Sequence, residues 1–253
     1  MRDPLLDHID GVVRAGTLRD AWQLHLARMA EYGFDRVMYL YTRYRHLKSF
    51  GDPRDALILT NFDDAYTDAY FGDGLYRAAP MMRWAARNTG ARSWRVAEAV
   101  FRSGSMTPEE RAVMRLNDRM GVRAGYEISF CQPVSRHMSA MSLCAPRGVD
   151  QDRVDEIWRA SGDDILLACR VFNLKAKQNP SVTRRPALTA RQREVLEWIA
   201  AGKTIQDIAV IMGLNSGTVE KHLRKAREAL EAETTAQAVL KATLRDEFGL
   251  LEG

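Results

Sequence analysis

Cysteine is scarce in this chain: three in 253 residues, Cys131, Cys144 and Cys169, with no CxxC spacing. Five scattered histidines (His8, His25, His46, His137 and His222) add no ligand cluster, so no metal site is expected. No run of about 18 apolar residues exists, which predicts that no segment spans a membrane. The opening MRDPLLDHIDG lacks the apolar core of a signal peptide. These absences together predict a reduced, cytoplasmic protein with no membrane partner. The familiar catalytic signatures are missing too: no GxSxG elbow, no P-loop, no GxGxxG and no HExxH. No histidine pairs with an evident nucleophile, so no catalytic residue, resident cofactor or enzymatic activity is assigned. Charge of one sign is also weak, at a net +4.

What is present is enough for two domains. The length exceeds that of one typical domain, and 46% hydrophobic residues with five Trp can fill two cores. The positive charge is concentrated where it matters: Lys175, Lys177, Arg184, Arg185, Arg191 and Arg193 fall in a stretch with no acid. KAKQNPSVTRRPA within it carries two Pro and little apolar content, so residues 175–186 read as a basic linker. It can add non-specific attraction to phosphates or serve only as a solubilising hinge.

Beyond the linker, residues 187–253 show three helices in tight succession. Thr189 is a candidate N-cap for a helix over Arg191 to Ala200, with Val195, Leu196, Ile199 and Ala200 on one face. Gly202 stops it. A second helix runs from Ile205 to Met212, Gly213 ends it, and Asn215 or Ser216 caps a third that reaches about Glu231. Ala209, Gly213 and Val219 provide the small crossing residue, the turn residue tolerant of positive φ and the apolar lock that a helix-turn-helix needs. Ile208 and Leu223 complete the seam. Outside that seam the third helix carries Ser216, Thr218, Glu220, Lys221, Arg224 and Lys225. Such a face is either a solvated surface or a reader of DNA, entering the major groove with its N-terminal half foremost.

The segment LTARQREVLEWIAAGKT, followed by IQDIAVIMGLNSGTVEKHLRKAREAL, resembles the DNA-binding domain of the LuxR type, shared with GerE and NarL/FixJ regulators. TTAQAVLKA resembles the fourth helix of that domain, which takes part in dimer contacts in many members. The resemblance implies that Glu220, Lys221 and Arg224 face bases, while Ser216, Thr218, His222 and Lys225 approach the backbone.

Residues 1–174 have a mixed pattern. Helical segments are predicted over Leu18 to Tyr32, Asp63 to Tyr70, Met81 to Arg87, Thr107 to Met120 and Gln151 to Phe172. For Thr107 to Met120 the signals are a Thr cap, Pro108 at the first position, acidic Glu109 and Glu110, and Gly121 beyond the end. Strands are predicted over Arg36 to Tyr44 and Leu57 to Thr60, with a hairpin over Tyr126 to Val134 and Met138 to Ala145. The expected fold class is α+β: an N-terminal α/β/α sandwich around an antiparallel sheet, followed by an all-α four-helix helix-turn-helix domain. Phe62, Tyr66, Tyr70, Phe71, Tyr76, Trp84 and Trp94 concentrate aromatic rings here. They are either core packing or the wall of a pocket for a small apolar ligand.

This domain resembles the ligand-binding and dimerisation domain of LuxR-type quorum-sensing receptors, which bind acyl-homoserine lactones. With Trp94 on the family's second Trp, Pro80 falls on its Pro, Tyr70 on its Tyr, Tyr66 on its first Trp and Phe62 on the leading aromatic, without a gap. MGVRAGYEISF resembles a downstream stretch and puts Gly125 on its characteristic Gly. Ser142 falls near a strand hydroxyl that touches the ligand's amide region, and Met38 and Leu40 lie on the strand that lines the acyl cavity. Two positions depart from the pattern. The acid that accepts the ligand's amide N–H is replaced by Ala79, and the Trp that donates to the lactone carbonyl is replaced by Tyr66. A buried amide without its acceptor costs about 1–3 kcal/mol. Glu127 and Asp64 are the candidate substitutes.

The expected function is that of a dimeric, sequence-specific transcriptional regulator controlled by an acyl-homoserine lactone or a related small signal. Its partners would be double-stranded DNA with two-fold-related half-sites, a second copy of the chain and, by resemblance, RNA polymerase. The alternatives are a ligand-independent regulator and an antagonist that forms inactive heterodimers with a related receptor.

Overall fold

The computed structural model describes residues 3–42, 56–130, 137–178 and 188–244. The predicted positions Arg43 and Tyr44, Cys131 to Val134, and the linker from residue 179 onward lie outside them. The chain divides into two compact units, Met1–Val182 and Thr183–Gly253.

The first unit opens with two helices, α1 (Pro4–Arg14) and α2 (Leu18–Glu31), capped by Asp3 and Thr17. Strands β1 (Arg36–Thr42) and β2 (Ala56–Thr60) follow. Next come α3 (Asp64–Thr67), a π-helical turn (Asp68–Gly72), a 3-10 turn (Leu75–Arg77) and α4 (Pro80–Ala85). Strand β3 (Thr89–Ser93) leads into α5 (Arg95–Arg102) and α6 (Pro108–Arg119). The hairpin strands β4 (Gly125–Phe130) and β5 (Met138–Cys144) precede the long helix α7 (Gln151–Lys177).

The five strands form one antiparallel sheet in the order β2-β1-β5-β4-β3. Alternation along each strand divides its side chains between two cores. Val37, Tyr39, Tyr41, Ile128, Met141 and Leu143 pack with apolar residues of α1, α2 and α7. Met38, Leu40, Met138, Ala140 and Cys144 pack with the aromatic segment, α4 and α6 on the opposite face. The result is the expected α/β/α sandwich.

Several local expectations hold in detail. Thr107 and Glu110 form a reciprocal capping box on α6, and Gly121 adopts a left-handed conformation just past its end. Others need revision. Helix α1, strand β3 and helix α5 are additional elements. The helix expected over Asp63 to Tyr70 is one α-turn that runs into a π-helical turn, with Phe62 ahead of it. Helix α7 continues to Lys177 and buries Ala176, so residues 175–177 of the expected linker are helical.

The second unit contains α8 (Ala190–Ala200), α9 (Ile205–Met212), α10 (Ser216–Ala229) and α11 (Thr235–Leu244). Capping boxes at Thr189 with Gln192 and at Thr204 with Asp207 start the first two. Gly213 sits at φ 65°, and the Leu214 amide donates to the Ala209 carbonyl at 2.8 Å, closing the turn. Asn215, not Ser216, caps α10 and accepts from the Thr218 amide at 2.8 Å. Ile208, Ala209, Val219 and Leu223 are buried together as the seam requires.

Gly125 ties the sheet to the aromatic segment. Its amide donates to Gln151 Oε1 at 2.9 Å, and its carbonyl accepts from the Trp94 amide at 3.1 Å. A Cβ there would lie 2.2 Å from the Leu143 carbonyl oxygen and 2.8 Å from the Trp94 ring. Gly125→Ala is therefore expected to lower stability by about 1–3 kcal/mol in denaturant unfolding, and to disturb Trp94 fluorescence.

Candidate functional site

The sheet face opposite α1, α2 and α7 borders a cavity of ≈ 670 Å³. Strand alternation puts Met38 of β1, Glu127 of β4 and Ser142 of β5 on this one face, because Met38 and Glu127 both pair across with Ser142. The π-helical turn and the residues before it contribute Phe62, Tyr66 and Tyr70. Their rings stack in sequence, with centroids 5.0 and 5.4 Å apart. Ala79, Pro80 and Trp94 add to the wall, as do Ala97 and Phe101 of α5 and Val113 and Asn117 of α6. Exposed Arg115, Asp118 and Arg123 also border the cavity, and Arg123 pairs with Asp118 at 2.5 Å.

Seven of the nine expected ligand residues thus border one cavity: Met38, Phe62, Tyr66, Tyr70, Ala79, Trp94 and Ser142. Leu40 is buried in the same core without reaching the cavity wall, and Gly125 acts from behind by letting Trp94 approach the strand. Tyr66 is not a free donor as it stands, because its hydroxyl donates to Asn117 Oδ1 at 3.0 Å. Asp64 is exposed and does not border the cavity, which removes it as the substitute acid.

Glu127 is the acid that the cavity holds. It is 2% exposed, and burial pushes its carboxyl up to about 7, against the Ser142 hydroxyl and the nearby Trp94 indole. Ser142 donates to Oε2 at 2.7 Å. Neither Oε1 nor the Trp94 indole nitrogen has a partner in hydrogen-bond geometry, although the indole lies near enough to Glu127 to lower its carboxyl against the effect of burial. The cavity wall therefore offers one acceptor and one donor, both desolvated and both unspent.

In the second unit, Ser216, Glu220, Lys221, Arg224 and Lys225 of α10 are exposed, while Thr218 and His222 are half-buried. The Thr218 hydroxyl is engaged with Asn215, and Arg224 pairs with Glu228 at 3.1 Å. Lys221 and Lys225 share that exposed surface with Arg224.

Two family models match this chain. The autoinducer binding domain matches residues 17–176, and the bacterial regulatory proteins of the luxR family match residues 186–242. The chain belongs to the LuxR family of regulators. This LuxR-family chain is 24% identical to y4qH of Sinorhizobium fredii over 189 residues, which is 74% of its own length but 56% of that protein's. It is 23% identical to the transcriptional activator TraR of Rhizobium radiobacter over 222 residues, 87% of this chain and 88% of TraR. Among solved structures, SdiA in complex with octanoyl-rac-glycerol aligns with a TM-score of 0.63 at 16% identity, covering 99% of this chain and 100% of that one. CepR2 from Burkholderia cenocepacia, titled as N-acylhomoserine lactone dependent, aligns with a TM-score of 0.52 at 19% identity, covering 69% of this chain and 96% of that one. At these identities the structures speak for the fold. Among the described residues no helix is long and apolar enough to cross a membrane.

Most of the wall residues that the sequence did not reveal come from α5 and α6, with Met81 of α4 and Val122 and Arg123 beyond α6. One signal existed: Asn117 lies four residues after Val113, on an otherwise apolar face of a well-marked helix.

The raised carboxyl of Glu127 has a consequence for stability. Its native value of about 7 exceeds an ordinary carboxyl value of about 4.3, so the folded state binds the proton more tightly. Stability from the protonated form is complete below the unfolded value and is lost as pH rises through about 7. Glu127→Gln is expected to melt close to wild type at pH 5 and several degrees above it at pH 8. Equal melting temperatures at both pH values would mean that Glu127 is not a buried, proton-retaining acid.

Proposed function

We propose that this protein is a homodimeric, sequence-specific DNA-binding regulator of transcription, acting in the cytoplasm, whose N-terminal unit binds an acyl-homoserine lactone or a related small signal. One observation carries the reading: seven of the nine residues that the receptor resemblance assigns to ligand contact, scattered from Met38 to Ser142, border a single cavity. Its aromatic stack and small apolar residues suit an acyl chain, and its few polar atoms suit a compact polar head. SdiA and CepR2, whose structures share this fold, are described with octanoyl-rac-glycerol and as N-acylhomoserine lactone dependent. Both descriptions are compatible with a cavity of this composition.

On the DNA side, the N-terminal half of α10 enters the major groove in this reading, with Glu220, Lys221 and Arg224 at bases. Ser216, Thr218, His222 and Lys225 lie toward the phosphates. A dimer would present two such helices to half-sites about one helical turn apart. A first domain that runs through α7 to Lys177 and a second over residues 187–253, joined by a basic linker, follow the same reading, and RNA polymerase is its further partner. Ala79 in place of the family's acid favours a second reading, a regulator that works without a ligand.

Two measurements test this. Thermal melting of protein expressed without signal, against a panel of acyl-homoserine lactones, is expected to show a rise with at least one chain length. At a hundredfold excess over Kd the stabilisation is about 2.7 kcal/mol. No shift from a folded protein would favour the ligand-independent reading. Lys221→Ala/Arg224→Ala is expected to abolish specific DNA binding in a mobility-shift assay while leaving the melting temperature unchanged. Retained operator affinity would remove α10 as the recognition helix.

A further inference from the structure

We infer that Glu127 Oε1 is the acceptor for an N–H group of the bound signal, so that this cavity selects an amide-linked head over its ester-linked counterpart. The inference rests on the small-signal reading above and adds the residue and the ligand atom that it left open.

The geometry narrows the choice of residue. Ala79 has no polar side-chain atom, and the Asp64 carboxylate lies in solvent. Glu98 and Asp118 also border the cavity, but Asp118 is exposed and already paired with Arg123, and Glu98 pairs with Arg102. Glu127 alone among these acids is fully buried, and it presents an oxygen with no partner. One of its oxygens is held by Ser142, which fixes the carboxyl plane on the sheet face and leaves the other turned to a single use.

A buried oxygen without a hydrogen bond is costly, and a bound N–H would remove that cost at the moment of binding. With the carboxyl ionised, above about pH 7, the same oxygen would face the lone pairs of an ester oxygen placed at that point. The group it accepts from is a neutral N–H rather than a cationic amine. A lone buried carboxylate does not repay the desolvation of an ammonium. The unspent Trp94 indole N–H beside it suits an oxygen of the same head group, which a homoserine lactone amide also carries.

The test compares two probes that differ in one atom: N-octanoyl-homoserine lactone and α-octanoyloxy-γ-butyrolactone, in which oxygen replaces the N–H. Affinities are measured by calorimetry at pH 8, where the Glu127 carboxyl is ionised, on the full chain and on Glu127→Met and Glu127→Leu. Because preference is a ratio taken within one protein, a general loss of stability does not imitate it. Wild type is expected to favour the amide by about 10- to 100-fold. Both variants are expected to lower that ratio to about threefold or less. An amide preference that survives in the variants, or its absence from wild type, would overturn the role of Glu127 while leaving the small-signal reading standing. Failure of folded wild type to bind either probe, or any other chain length, would overturn both.

Discussion

A carboxyl group buried in the wall of the cavity constrains much of the N-terminal unit. Glu127 can sit there only because strand alternation points it away from the α1, α2 and α7 core and toward the aromatic segment. Ser142 must lie directly across the hairpin to hold one oxygen. Gly125, two residues earlier on the same face, must lack a side chain so that Trp94 can come down beside it. Gln151, at the start of α7, holds the Gly125 backbone from the other side. Sheet register, the packing of Trp94 and the start of the longest helix thus converge on one polar spot.

The two units differ in how far their sequences disclosed them, and the difference is physical. Helix-turn-helix geometry is set by neighbours: Thr caps, a left-handed Gly213 and apolar residues four and ten positions apart. Such signals act within one or two turns, so the chain spells them out. The α6 helix was legible for the same reason. Strand β3 was not, because it is an edge strand whose TGARS residues bury no alternating apolar face. The spacing of Phe62, Tyr66 and Tyr70 did signal a ring stack, but the π-helical turn that delivers Tyr70 has no comparable sequence mark.

The cavity shows the same division. Residues such as Tyr66 and Trp94 were reached through the family resemblance, whereas Val113, Asn117, Ala97 and Phe101 enter by tertiary packing of helices that could have faced elsewhere. The choice between Glu127 and Asp64 could not be made from the chain, since each is an acid near an aromatic or hydroxyl residue. Burial decides it. The LuxR-type acid at position 79 has gone, and an acid stands instead on the adjoining sheet face. In the proposed reading, Glu127 of β4 takes the place of that acid.

The most direct measurement is the proton chemical shift of a ¹⁵N-labelled acyl-homoserine lactone amide, free and bound to the full chain. A hydrogen bond to a buried carboxylate moves that proton strongly downfield. The bound signal is predicted to show this displacement in wild type and to lose most of it in Glu127→Met. A bound amide proton that resonates at the same position in both proteins would contradict the account, because the carboxylate would then not be its acceptor.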